Sequence, residues 1–210
     1  MMCRTWTDRD LEIVDALTCR VRVLSFAQIA EGWPPVRQSD IRSWLVRLVD
    51  AGLLQRLVWN VQLPPTGTIP LFTWKLGTAP PDFSRLTDQI RSRWKQDIQP
   101  CEVFVATTKA AKLFGSSAGR VPPVHHRNHD LLLGAALVHY RRWLPELAAR
   151  WRGEDAMPMA EKGVKNPDAF LVDEEERPRR VIESAGRYSR EQLEDFHQYC
   201  VESQLSYELW

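Results

Sequence analysis

The residues best suited to chemistry lie in the last third of the chain. Asp168 follows Pro167 and opens the apolar run Ala169-Phe170-Leu171-Val172, and Glu183 closes the run Val181-Ile182. Adjacent strands lie about 4.8 Å apart, so an acid at the start of one strand and another at the end of the next can converge. With Glu154 upstream they offer hard oxygen ligands to one divalent cation such as Mg2+ or Mn2+, the kind of centre that can activate a water. A second set, His125-His126-x-x-His129, invites a metal reading because imidazoles three or four residues apart on a helix can share an ion. Pro122-Pro123 puts the pair in a loop with no neighbouring acid or thiol to complete a tetrahedron, so the expectation is a solvated helix start. Asp173-Glu174-Glu175-Glu176 reads as a solvated turn. A third set is basic and polar: Arg42, Ser43 and Arg47 on one helix with Arg37 and Gln38 just before it, then Arg56 and Lys75. Guanidinium groups of this kind can bond phosphate or guanine in a bidentate manner.

Those residues need elements to hold them. Thr7-Asp8-Arg9-Asp10 has a hydroxyl cap and a carboxylate three residues on, followed by Leu11, Ile13, Val14 and Leu17 at helical spacing, and predicts a first helix. Ser25-Phe26-Ala27-Gln28 repeats the pattern for a short second helix that stops before Gly32-Trp33-Pro34-Pro35. Ser39 caps a third, in which Ile41, Trp44, Leu45, Leu48 and Val49 form one apolar stripe and Gly52 ends it. Trp44 and Leu48 are therefore expected to be buried. Residues 53–61 and 71–76, split by Pro64-Pro65-Thr66-Gly67-Thr68, predict two strands of one hairpin, which would put Arg56 and Lys75 on the same wing.

Beyond Ala79-Pro80-Pro81 the spacing predicts a helix over 84–97, packing on the hairpin or pairing two protomers, then a strand over 101–106 and a capped helix over 109–114. A long apolar helix starts at Asn128, is interrupted near Pro145 and runs to Trp151. A strand from Glu154 towards Ala160, the two runs bearing Asp168 and Glu183, a helix over 189–201 and a strand over 206–210 complete the chain. The expected division is 1–78, a connector over 79–123, and 124–210, with an α+β or α/β fold class.

Composition limits the partners. A formal net charge of +1 excludes a globally basic nucleic-acid binder, so any such contact must come from a local face. No apolar run is long enough to span a bilayer, and the N-terminal residues show no export signal, so no membrane association and a cytoplasmic location are expected. Cys3, Cys19, Cys101 and Cys200 have neither metal-site nor disulfide-framework spacing and read as reduced thiols.

Helix, helix, helix and hairpin resemble the winged helix-turn-helix, with Ser39 to Leu54 as its third helix and wing entry. The order helix, three strands, helix, strand, with Pro167-Asp168 and Glu183-Ser184-Ala185, resembles the PD-(D/E)XK restriction-endonuclease fold, a mixed sheet flanked by helices. Ala185 stands where that family has its lysine, and Lys162 and Lys165 precede Asp168. Across nearly the whole chain the sequence is similar to the replication-relaxation, MobC-like family, found near plasmid replication and mobilisation genes. The shared features are the winged helix, 107–115, His129-Asp130-Leu131-Leu132, Glu154, Pro167-Asp168-Ala169-Phe170, Ile182-Glu183 and a late helix with Tyr199. The resemblance implies a DNA-binding accessory or regulatory protein of a bacterial plasmid or mobile element. Its partners would be double-stranded DNA and either another protein or a second copy. The nuclease-like domain would be non-catalytic, with no cofactor or weakly held Mg2+ or Mn2+. The alternative is a metal-dependent DNA endonuclease using Glu154, Asp168 and Glu183.

Overall fold

The computed structural model describes residues 6–34, 38–62, 69–94, 97–157 and 166–210, without the side chains of Gln38 and Ser39. Arg37, Cys3, Lys162, Lys165 and the Pro64 to Thr68 turn lie outside the described residues. The fold is mixed α and β, with two sheets among the described residues. No helix among the described residues is long and apolar enough to cross a membrane.

The first two helices form where their caps predict, and the third begins at Gln38, which puts the expected cap Ser39 inside it. Thr7 and Asp10 close a capping box on α1 (Asp8–Asp15), and Ser25 and Gln28 close another on α2 (Phe26–Gly32). Between them, a π-helical turn (Ala16–Arg20) leads through Arg22 to the short β1 (Leu24–Ser25). The third helix, α3 (Gln38–Asp50), buries Ile41, Leu45 and Leu48. Trp44 is only half-buried, because its ring lies at the edge of the stripe beneath the Arg9 guanidinium, 4.1 Å from the ring centre.

The expected hairpin is not formed. β2 (Leu54–Val61) pairs antiparallel along its whole length with β4 (Gln99–Ala106), from Leu54 opposite Ala106 to Val61 opposite Gln99. β1 joins the other edge of β4, so the first sheet has the order β1-β4-β2. The run once read as a hairpin partner becomes β3 (Phe72–Trp74), which pairs with β8 (Ser206–Leu209) at the edge of the second sheet. Apolar composition marked both segments as strands but could not select a partner 40 residues away in preference to a near one. Lys75 therefore leaves the β2 face and lies exposed beside the second sheet. The helix over 84–97 is the shorter α4 (Phe83–Ser92), and it packs on α8 (Arg190–Glu202) rather than on β2.

The second sheet has the order β3-β8-β7-β6-β5, where β5 is Trp151–Gly153, β6 is Ala169–Val172 and β7 is Pro178–Glu183. Only the β7–β8 pair is parallel, and α8 makes that crossover. Ala169, Leu171, Ile182 and Trp210 belong to the core with Leu132, Leu133, Ala136 and Tyr140 of α6 (Arg127–Trp143). Phe170, Val172, Val181, Tyr207 and Leu209 belong to the core with Leu86 and Ile90 of α4 and Leu193 and Cys200 of α8. The period-two alternation thus makes a three-layer unit, helix on sheet on helices. Trp151, expected as the end of the long helix, instead starts β5, because Leu144 breaks the helix and α7 (Pro145–Ala149) lasts barely a turn. β5 ends before Glu154, which opens a 3-10 turn (Glu154–Ala156) where a strand was expected.

The same core that backs α6 also contains Ile13, Leu17, Ile41, Leu48, Leu54 and Phe104, so the two sheets share one apolar interior. Contact is closest at Gly153, where an added Cβ would come within 2.2 Å of the Arg20 carbonyl oxygen. Trp151 Nε1 donates to that same oxygen at 2.9 Å, and Arg20 Nη1 donates to the Ala148 carbonyl at 2.6 Å. The Arg20 to Arg22 backbone is thereby locked against the end of β5.

Candidate metal centre and adjoining cleft

Three elements converge at one end of the second sheet. Ala169 on β6 pairs with Ile182 on β7, so Asp168, one residue earlier, meets Glu183, one residue later. The Asp168 backbone N–H donates to Glu183 Oε2 at 3.3 Å, and the Ser184 N–H donates to Asp168 Oδ2 at 2.9 Å. Both carboxylates are 2% exposed, which in the absence of a function would be a costly arrangement for two like charges.

The third member is His129, in the first turn of α6. Its Nε2 lies 2.9 Å from Asp168 Oδ2 and its Nδ1 lies 3.0 Å from Asp130 Oδ1. Burial pushes the imidazole towards neutrality, but its hydrogen bonds to Asp130 and Asp168 outweigh that and raise its pKa to about 10. The expectation of a solvated helix start is corrected: His125 is exposed, whereas His129 is turned inward between two buried acids. One potential ligand atom from each of His129, Asp168 and Glu183 lies within 4.8 Å of the others. Tyr188 donates its hydroxyl to Glu183 Oε1 at 2.5 Å, and burial followed by the Glu183 charge pushes that phenol well above its usual range.

The donor set suits a divalent cation. One imidazole nitrogen and two carboxylates match the ligands taken by Mn2+, Mg2+ or Zn2+, and the imidazolium must give up its proton to become a ligand. Asp130 supports the fit independently, because its buried Oδ2 has no hydrogen-bond partner among the described residues and the side chain lines the same cleft as His129 and Asp168. This narrow cleft also takes in Arg22, Glu154 and Asp155.

The remaining expected site residues are spread more widely. Glu154 is close to the centre but bonds Arg22 Nη2 at 3.0 Å. Arg47 extends both oxygens of the buried Asp10 a hydrogen bond, at 3.0 and 2.8 Å, and so ties α3 to the start of α1. Arg42 and Arg56 remain mostly exposed and converge on Glu102 of β4, at 3.4 and 2.5 Å. Ser43 is exposed and donates its hydroxyl to the Asp40 carbonyl at 2.7 Å. Gln38 belongs to α3 by its backbone. Ala185, in the expected lysine position, is wholly buried against the α4 and α8 core with a left-handed φ of 52°, so its methyl is packing and brings no charge. Arg22 and Asp130 were not expected as site residues, although Asp130 belongs to the His129-Asp130-Leu131-Leu132 run of the family resemblance. The signal available was His129-Asp130 opening an apolar helix, an acid placed beside an imidazole.

Compared with protein-family models, curated proteins and solved structures, the chain matches none.

Proposed function

We propose that this chain is a DNA-binding accessory or regulatory protein that engages duplex DNA through α3 and β2 and carries a divalent-metal centre in its second half. The observation that carries the reading is the first sheet's order, β1-β4-β2, interleaved with three helices. That order supports a winged helix-turn-helix whose third helix, α3, stands in the recognition position and whose wing is β2 with β4. Arg42 and Arg56 share the single carboxylate of Glu102, so this patch retains one positive charge for a phosphate. The resemblance to a plasmid-associated family supports a role in replication or mobilisation of a mobile element. The test is binding of a labelled duplex by fluorescence anisotropy at two salt concentrations. Binding that weakens with salt, and weakens further in an Arg42→Ala, Arg56→Ala double variant, is expected. A double variant that binds as tightly as the parent overturns the assignment of the surface.

A second reading, a metal-dependent DNA endonuclease, is favoured by the meeting of His129, Asp168 and Glu183. The order α6, three strands, α8, β8 supports the restriction-endonuclease-like comparison. A bound divalent cation would polarise a phosphoryl oxygen and acidify a water. In that reading His129, Asp168 and Glu183 hold the ion, Tyr188 orients Glu183, and the Ser184 N–H orients Asp168. Ala185 is the argument against it, since it contributes no charge at the scissile phosphate. Incubation with plasmid and Mn2+, with Asp168→Ala as control, separates the two. Cleavage that the variant loses establishes the enzyme, and no cleavage leaves the accessory role.

A further inference from the structure

From the position of Arg22 we infer that the first half of the chain supplies the cleft with a guanidinium that grips a nucleic-acid phosphodiester beside the metal centre. The inference rests on the metal reading of His129, Asp168 and Glu183, and it names what that centre would receive.

Arg22 lies in the segment between the π-helical turn and β1, far in sequence from the acids, yet lines the same cleft as His129 and Asp168. Its Nε and Nη2 grip Asp155 at 2.9 and 3.0 Å, and Nη2 also lies 3.0 Å from Glu154. Those contacts use one edge of the planar group. Nη1 makes no bond to any described residue, and the side chain remains one-third exposed, so the N–H groups of Nη1 are available at the cleft. The backbone that carries it is fixed, because Arg20 is clamped by Trp151 and by the close approach of Gly153. A cation held in place before its ligand arrives is positioned for binding at little entropic cost.

Charge identifies the ligand. Asp130, Glu154, Asp155 and Asp168 line the cleft with Glu183 beside Asp168, and the cations lining it among the described residues are Arg22, His129 and Arg20, whose guanidinium is held by Asp15 and the Ala148 carbonyl. A free anion would be repelled from such a site. A divalent ion would reverse that locally and accept one phosphate oxygen, while Arg22 Nη1 takes another. A guanidinium beside a divalent ion matches an oxyanion with two accessible oxygens, as in a phosphodiester. The same arrangement provides, from another part of the chain, a positive charge that Ala185 does not.

The test uses the full chain with Mn2+ and the single-stranded trinucleotide d(TpTpT), which is too short for the α3 and β2 surface. Calorimetry is expected to show Mn2+ binding by the parent and trinucleotide binding only once Mn2+ is present. Arg22→Gln is expected to hold Mn2+ within about twofold of the parent and to weaken the trinucleotide by about tenfold, with Arg22→Lys between them. Equal trinucleotide affinity in Arg22→Gln and the parent, or no trinucleotide binding by Mn2+-loaded parent, overturns the role of Arg22 and leaves the metal centre standing. A parent that takes up no Mn2+ overturns both. Should Arg22→Gln fail to fold, Asp155→Asn decides. Removing the carboxylate charge that competes with the phosphate for the guanidinium is expected to tighten the trinucleotide severalfold, an effect absent from the Arg22→Lys, Asp155→Asn pair; unchanged or weaker binding by Asp155→Asn overturns the inference.

Discussion

Around α3 and β2 the arginines lie at the surface and are paired in ways that serve the fold: Arg47 joins two helices by neutralising the buried acid there, Asp10, and Arg42 and Arg56 share the partly exposed Glu102. At the end of the second sheet the carboxylates of Asp130, Asp168 and Glu183 are each 2% exposed and gather about one histidine. Exposed ion pairs contribute about 0–1 kcal/mol, whereas burying ions costs several kcal/mol apiece before their partners repay it. Surface charge of the first kind is what any helix and strand would carry. Buried charge of the second kind persists where it has another use, and that is why the cleft is the stronger functional signal although the α3 segment has the clearer sequence pattern.

The comparison breaks first on stability. Leu48 is wholly buried in the shared core, and Leu48→Ala is expected to cost about 4 kcal/mol. Asp168→Ala is expected to cost far less above about pH 10, where the His129 imidazole it pairs with is neutral and its crowding against Glu183 is relieved. Equal losses in urea denaturation at that pH would mean that the carboxylate cluster is a structural element like the core. Trp44→Ala provides an internal scale: half-buried and covered by Arg9, it is expected to cost clearly less than Leu48→Ala.

A second test turns the comparison from folding to binding. Removing one of three ligands is expected to weaken Mn2+ by about a hundredfold, in Asp168→Ala and His129→Ala alike, while Glu102→Gln on the other surface leaves it unchanged. If His129→Ala keeps the parent's affinity, the imidazole is a neighbour of the carboxylates and not a ligand.

What could be read from residues alone follows the same division. The helices of the first half were legible because Thr7 and Ser25 cap the first two and the Ile41 to Leu48 stripe of the third has a single period. Asp168 and Glu183 were legible as a pair because each terminates an apolar run and neighbouring runs make neighbouring strands. The partner of β2 was not, because pairing between β2 and β4 depends on where residues 62–98 travel, and that segment leaves to add β3 and α4 to the other sheet. His129 was misjudged for a related reason: its acids, Asp130 excepted, come from distant strands, and proximity in sequence is a poor guide to a ligand set. Arg22 is the extreme case, reaching its carboxylates only because both sheets share one core.

The pH dependence of stability sharpens the contrast further. His129 has a folded pKa of about 10, above the value of about 6.5 expected for an unfolded histidine. Between those values the folded, metal-free protein binds the extra proton, so stability falls as pH rises. The contribution is fully present below about pH 6.5 and is lost as pH climbs through 10. Urea midpoints for parent and His129→Gln, measured between pH 6 and pH 10.5, are expected to converge at the alkaline end; a constant gap would show that the imidazole is not held charged by Asp168 and Asp130.

The smallest expected effect concerns the surface that looked most functional in sequence. Glu102 holds two arginines, and Glu102→Gln would release both Arg42 and Arg56 without disturbing the core, since the pairs lie in water and contribute little to folding. Phosphate contact depends on the number of charges available, so duplex binding is expected to tighten by a few-fold at low salt, and the dependence of affinity on salt is expected to steepen. The melting temperature should stay within a degree or two, as a surface change of under about 0.5 kcal/mol implies. Restoring parental affinity by adding Arg42→Ala and Arg56→Ala to Glu102→Gln would place the effect on those two guanidiniums. If Glu102→Gln instead weakens the duplex, Glu102 is positioning the arginines for DNA rather than competing with it, and the α3 surface would then be as deliberately arranged as the cleft.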